Sequence, residues 1–169
     1  MTDPAIVLIG PMGAGKSSIG KKLARALGTT FTDSDGLIVR DHGPIEQIFT
    51  EHGEARFRAL EREAVDQALS RGGVVALGGG AVLDPDTQRR LGAHRVVLLT
   101  VSEQTVASRL AGTRRPLLQG EDPVRRWREV SESRRQLYES LAAARFDTST
   151  GRIQDIVDAI AAWAQEGTP

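Results

Sequence analysis

Short, unbroken apolar runs recur along this chain, separated by stretches in which apolar residues return every third or fourth position. Ala5–Ile9, Val74–Leu77 and Val96–Leu99 read as strands buried on both faces, and Thr29–Asp33 as a shorter one. The intervening patterns predict helices over Ser17 to about Leu27, about Asp35 to Leu69, Pro85 to about Gly92, Ser102 to Ala111, Pro123 onward, and about Ile153 to Gln165. Gly28, Gly92 and Gly112 stand where helices should stop, and Ser102 where one should be capped. Asp84-Pro85 and Asp122-Pro123 each pair a capping side chain with a proline at the first helical position. In the last helix Ile153, Ile156, Val157, Ile160 and Trp163 fall at helical spacing, as core packing requires. Strands of this kind alternating with helices predict one α/β domain over residues 1–169, a parallel sheet covered on both faces.

Composition narrows the function more by exclusion than by suggestion. The 169 residues carry 22 basic and 22 acidic side chains, so the whole molecule exerts no net pull on nucleic acid or an anionic membrane, and neither is expected as a partner. No apolar run approaches the roughly twenty residues that a membrane span needs, and no leader-like segment is visible, so a cytoplasmic protein is expected. The absence of cysteine rules out disulfides, thiol catalysis and thiolate metal sites. His42, His52 and His94 have no ligand-like spacing and are assigned to surface or loops. With no long heptad pattern or broad apolar stripe, a monomer is expected.

The sharpest chemical signal is Gly10-Pro11-Met12-Gly13-Ala14-Gly15-Lys16-Ser17, a complete G-x-x-x-x-G-K-S loop between a predicted strand and a predicted helix. Its glycines let successive N–H groups turn toward phosphate oxygens beside the positive end of the helix. Lys16 then reaches the β- and γ-phosphates, and Ser17 offers its hydroxyl to the Mg²⁺ that accompanies them.

A second constellation, Asp33-Ser34-Asp35, falls at the end of the second strand, on the edge where open parallel sheets bind ligands. On an extended backbone Asp33 and Asp35 would point to the same side, one toward Mg²⁺ and the other toward an acceptor hydroxyl, unless either caps the following helix. Gly78-Gly79-Gly80, after another strand, either clears the cleft wall for a ring or forms a loose turn. The segment Thr113–Pro123, with Arg114 and Arg115, reads as a flap that closes over ATP or as a solvated loop. Arg134 sits on the apolar face of its helix with Val130 and Leu137, so its guanidinium needs an anionic partner, from the protein or from a substrate carboxylate. Arg135 should be solvated. Arg58 is explained equally well by ion pairs with Glu54 and Glu61 or by a binding role.

Together these residues resemble the shikimate kinases, which have the nucleoside-monophosphate-kinase-like fold. The resemblance spans nearly the whole chain and rests on Gly10–Ser17, Asp33-x-Asp35, Gly53-Glu54 with Phe57-Arg58, Gly78-Gly79-Gly80-Ala81-Val82, Arg115-Pro116-Leu117-Leu118, and Arg134 before Tyr138. It implies a P-loop kinase with a five-stranded parallel sheet flanked by helices, a substrate-binding region at about 34–61 and a lid at about 112–124. It also implies transfer of the ATP γ-phosphoryl to the 3-hydroxyl of shikimate, a step toward aromatic amino acids. Carried over by motif, Gly13, Ala14, Gly15, Lys16, Ser17 and Ser18 would hold the nucleotide phosphates, with Ser17 and Asp33 attending Mg²⁺. Asp35 would bind the ring hydroxyls and orient or deprotonate the attacking one. Gly78, Gly79 and Gly80 would contact the ring, with Phe49 and Phe57 as walls, while Arg58 and Arg134 would pair with the carboxylate. Lys16, Asp33, Asp35 and Arg115 would form the catalytic set, and Arg109 and Arg152 would meet the adenine. Two other readings stay open: a related kinase acting on gluconate, and an ATP-binding regulatory module without turnover.

Overall fold

The computed structural model describes residues 3–110 and 122–167. Its strands β1 (Ile6–Ile9), β2 (Phe31–Asp33), β3 (Val74–Ala76), β4 (Arg95–Thr100) and β5 (Ala144–Asp147) form a parallel sheet in the order β2-β3-β1-β4-β5. The helices are α1 (Lys16–Leu27), α2 (Ser34–His42), α3 (Ile45–Arg71), α4 (Pro85–Leu91), α5 (Glu103–Leu110), α6 (Pro123–Leu141) and α7 (Ile153–Glu166), with a 3-10 turn at Ala81–Leu83.

The central strands β1 and β3 and the middle of β4 are apolar because both their faces are covered. Val7, Ile9, Val75, Leu77, Val96 and Leu98 face one layer with Leu37 of α2, Leu60 and Val65 of α3, Leu91 of α4 and Tyr138 of α6. Ile6, Leu8, Val74, Val97 and Leu99 face the other, with Ile19 and Leu23 of α1 and Val157 and Ile160 of α7. Leu8 is wholly buried at the centre of the sheet, where truncation to alanine costs about 2–5 kcal/mol.

The expected capping holds at several ends. Asp84 accepts from the Asp86 and Thr87 amides, Asp122 from Arg125 N, and Ser102 from Thr105 N. Gly28 closes α1 in the left-handed conformation. The helices expected from about Asp35 to Leu69 are α2 and α3, and α3 itself is broken at Gly53, whose φ of 83° is not helical. β5 carries no continuous apolar run because it lies at the sheet edge and alternates half-buried with exposed residues. In register, Leu8 of β1 and Asp33 of β2 both flank Ala76 of β3, so the loops leaving these strands open onto one edge of the sheet. Among the described residues, no helix is long and apolar enough to cross a membrane.

Candidate active site

The glycine-rich loop runs from the end of β1 into α1. Gly15, the residue before α1, has φ 88° and ψ 22°, a left-handed conformation that a side chain would strain. Lys16 folds across the loop, its Nζ donating to the Gly10 carbonyl at 2.7 Å and the Pro11 carbonyl at 3.0 Å. On the outer side, three successive carbonyls receive donors from three other parts of the chain: Met12 O from Trp127 Nε1 at 2.7 Å, Gly13 O from Arg109 Nη1 at 2.6 Å, and Ala14 O from Thr148 Oγ1 at 2.8 Å. Arg109 also donates to Thr148 O at 2.7 Å, which ties α5 to the end of β5.

The acidic pair is arranged differently from its expected alternation on a strand. The helix begins at Ser34, directly after β2, and Asp33 is its cap: Asp33 Oδ1 accepts from Asp35 N at 3.0 Å and from Gly36 N at 3.4 Å. Asp35 belongs to the first helical turn. Both carboxylates nonetheless line the same hollow of about 240 Å³, together with Lys16, Ser17, Gly79 and Arg109. Ser17 Oγ donates to Asp33 Oδ2 at the mouth of the phosphate loop. A hydroxyl and a carboxylate in contact there are the oxygen donors that a hard cation such as Mg²⁺ accepts, the remaining positions falling to phosphate and water.

Gly78 and Gly79 after β3 form one wall of the hollow, and behind them stand residues of α3 and α6. Tyr138 donates to the Gly79 carbonyl at 2.6 Å, and a Cβ placed on Gly79 would lie 3.5 Å from Arg134 Nη1. Arg134 is 7 % exposed, and among the described residues no carboxylate lies within ion-pair distance of it. Burial raises the Tyr138 hydroxyl above its ordinary pKa, with the neighbouring Arg134 guanidinium pulling the other way. Arg58 donates to Glu61 at 2.7 Å and approaches Glu54 at 3.5 Å. The first of these is no surface pair, since Glu61 is 4 % exposed and burial pushes its carboxyl pKa up against the opposing pull of Arg58. Arg58, Glu61 and Gly80 line a neighbouring hollow of about 250 Å³.

Of the residues singled out in the sequence, Gly13, Gly15, Lys16, Ser17, Ser18, Asp33, Asp35, Gly78, Gly79 and Arg109 share one cleft. Arg58 and Gly80 line the neighbouring hollow, Arg134 approaches Gly79, and Ala14 is buried beneath the loop. Phe49 and Phe57 meet at a tilt with ring centroids 4.8 Å apart and pack into the core. Arg152 stands apart, paired with Asp155 at 3.2 Å and with its side chain 83 % exposed. Arg115 and most of the 112–124 segment lie outside the described residues. Sequence reasoning missed Ser34, whose Oγ accepts from Gly78 N at 3.1 Å, and the outer donors Trp127 and Thr148. None of these three belongs to a local pattern that marks its role, although Ser34 stands between the two aspartates.

A phosphate loop at the C-terminal edge of a parallel sheet, faced by carboxylates and buried arginine, defines a P-loop kinase. A family model described as shikimate kinase matches residues 12–165. The chain is 45% identical over 159 residues to a shikimate kinase of Corynebacterium efficiens, covering 93% of this chain and 94% of that one. It is 49% identical over 147 residues to a shikimate kinase of Streptomyces coelicolor, covering 85% of each. Its fold matches the structure of shikimate kinase from Acinetobacter baumannii in complex with shikimate, with a TM-score of 0.93, 35% identity, and coverage of 99% of this chain and 96% of that one. The chain belongs to the shikimate kinase family.

Proposed function

We propose that this protein transfers the γ-phosphoryl group of ATP to the 3-hydroxyl of shikimate, giving shikimate 3-phosphate and ADP. The observation that carries the reading is Arg134, a buried guanidinium beside Gly79 with no acidic side chain of the described protein at ion-pair distance. A buried cation in that state is stabilised by an anion from outside, and the carboxylate of the acceptor supplies one. Arg58, held by Glu61, adds a second positive charge at the same end.

With its carboxylate fixed by Arg58 and Arg134, the acceptor lies over Gly79 and Gly80 with its hydroxyls toward Asp35. Asp35 accepts a hydrogen bond from the attacking hydroxyl and orients it in line with the γ-phosphorus, the positioning on which phosphoryl transfer depends. Lys16 leaves its carbonyl partners to hold the transferring oxygens, and the amides of Gly13–Ser18 hold the β-phosphate. Ser17 and Asp33 would hold Mg²⁺, which would supply charge neutralisation at the phosphates. Arg109 borders the nucleotide, and Arg115 acts on the moving phosphoryl; the resemblance also implies Arg152 for the adenine, although Arg152 is paired with Asp155 away from the cleft. A monomer acting in the cytoplasm belongs to the same proposal.

The test is to incubate the protein with Mg-ATP and shikimate and locate the phosphate on the product by proton–phosphorus coupling in NMR. Phosphate on the 3-oxygen supports the reading. A phosphate on another oxygen, or no phosphorylated product, contradicts it.

A further inference from the structure

The outer face of the phosphate loop carries a contact that the reaction described above does not use. Trp127, near the start of α6, is 6 % exposed and packs with Val106, Met12 and Val101. Its indole Nε1 donates to Met12 O at 2.7 Å. The peptide joining Met12 to Gly13 is trans and planar, so its carbonyl and its N–H point in opposite directions. A donor that fixes the Met12 carbonyl on the outside therefore fixes the Gly13 N–H toward the cleft, which Gly13 lines.

We infer that Trp127 is a positioning residue for the nucleotide, its indole N–H holding the Gly13 amide toward the phosphates. The indole suits this task better than water. It is anchored by packing with Val106, Met12 and Val101 and loses no freedom when phosphate arrives, so the amide is already aimed before binding. Trp127 touches neither substrate in this arrangement. Its helix also carries Arg134 and Tyr138, which face the acceptor, yet the Trp127 contact reaches only the nucleotide loop. Its loss should therefore be felt on one substrate and not on both.

The inference rests on the proposed function only in taking the loop as a nucleotide site. Trp127→Phe keeps an aromatic ring and removes the donor. By calorimetry, which needs no acceptor, the variant should bind ADP about threefold to tenfold more weakly than wild type, the usual worth of one hydrogen bond. The KM for ATP should rise by the same factor while the KM for shikimate stays within about twofold. ADP affinity unchanged in the folded variant overturns the inference, and so does an equal rise in both KM values, which marks general loosening. Wild-type protein that fails to bind ADP removes the nucleotide reading itself, and this inference with it. If Trp127→Phe does not fold, Trp163→Phe leaves Trp127 as the sole tryptophan of the chain. The Trp127 indole N–H must then be protected from exchange with solvent before ADP is added, as a donor held by Met12 O requires, and rapid exchange in the unliganded protein overturns the inference.

Discussion

Arg134 and Arg135 are adjacent on α6 and occupy opposite environments: Arg134 is 7 % exposed against Gly79, whereas the Arg135 side chain is 74 % exposed and pairs with Glu139 at 3.4 Å. The helical turn of about 100° per residue separates them. Removing one partner of a buried charge pair costs roughly 2–5 kcal/mol, whereas exposed pairs are worth about 0–1 kcal/mol. Arg134→Ala is therefore expected to weaken acceptor binding by an amount in the first range and Arg135→Ala by one in the second. Acceptor KM and direct titration check this, and equal losses in both variants would show that Arg134 does not hold the carboxylate.

The glycines after β3 differ in what a methyl group would meet. A Cβ on Gly78 would lie 2.6 Å from Asp35 Oδ1 and one on Gly80 would lie 2.6 Å from Arg58 Nη1, whereas one on Gly79 finds its nearest neighbour at 3.5 Å. The end of Arg58 can swing aside, so Gly80→Ala should fold normally yet displace a guanidinium that the acceptor needs. Gly78→Ala should displace the Asp35 carboxylate. Both variants are expected to lose acceptor turnover while retaining ADP affinity, and Gly79→Ala to be the mildest of the three in fold stability. Unchanged turnover in Gly78→Ala and Gly80→Ala would contradict this geometry.

Asp35 and Asp33 have separable tasks, since Asp33 caps α2 and meets Ser17 while Asp35 faces the glycines. Asp35→Asn is expected to leave ATP binding intact and reduce kcat by at least about 100-fold, the scale of lost acid–base or orienting assistance. Near-normal turnover would remove Asp35 from the acceptor site. Asp33→Ala should also lower thermal stability by about 0.5–2 kcal/mol through loss of the cap.

What could be read from the sequence followed physical strength of signal. Ile6–Ile9 and Val96–Leu99 announce buried strands because both faces are covered, and the phosphate loop announces itself because its glycines and lysine are fixed by the shape of a phosphate. Arg134 was legible because a charge on an apolar helical face demands an explanation. β5 was not, since an edge strand need not be apolar. Asp33 and Asp35 were placed in the right cleft for an incomplete reason: the chain turns into a helix at Ser34, and alternation along a strand does not carry past that point. The contacts of Trp127, Thr148 and Ser34 with distant loops depend on tertiary placement and leave no local periodicity.

His94 introduces a pH dependence of stability. Its Nδ1 accepts from Ala5 N at 3.0 Å, which requires a neutral ring, and burial lowers its pKa below the ordinary 6.5. The unfolded chain therefore binds the proton more readily than the folded one, so this contribution is present above pH 6.5 and is lost as pH falls through the folded-state value. The Tm advantage of wild type over His94→Gln should grow as pH rises from about 5 to about 7.5. An advantage independent of pH would mean that His94 does not titrate as a half-buried acceptor.

The most direct measurement of the central claim is Mg-dependent ADP release against shikimate, gluconate and a panel of nucleoside monophosphates, with Lys16→Ala as control. ADP release that depends on shikimate, far exceeds that with the other acceptors and disappears in Lys16→Ala is the expected result. Turnover only with another acceptor, or tight ATP binding without turnover on any, would contradict the assignment of Asp35, Arg58 and Arg134 to shikimate.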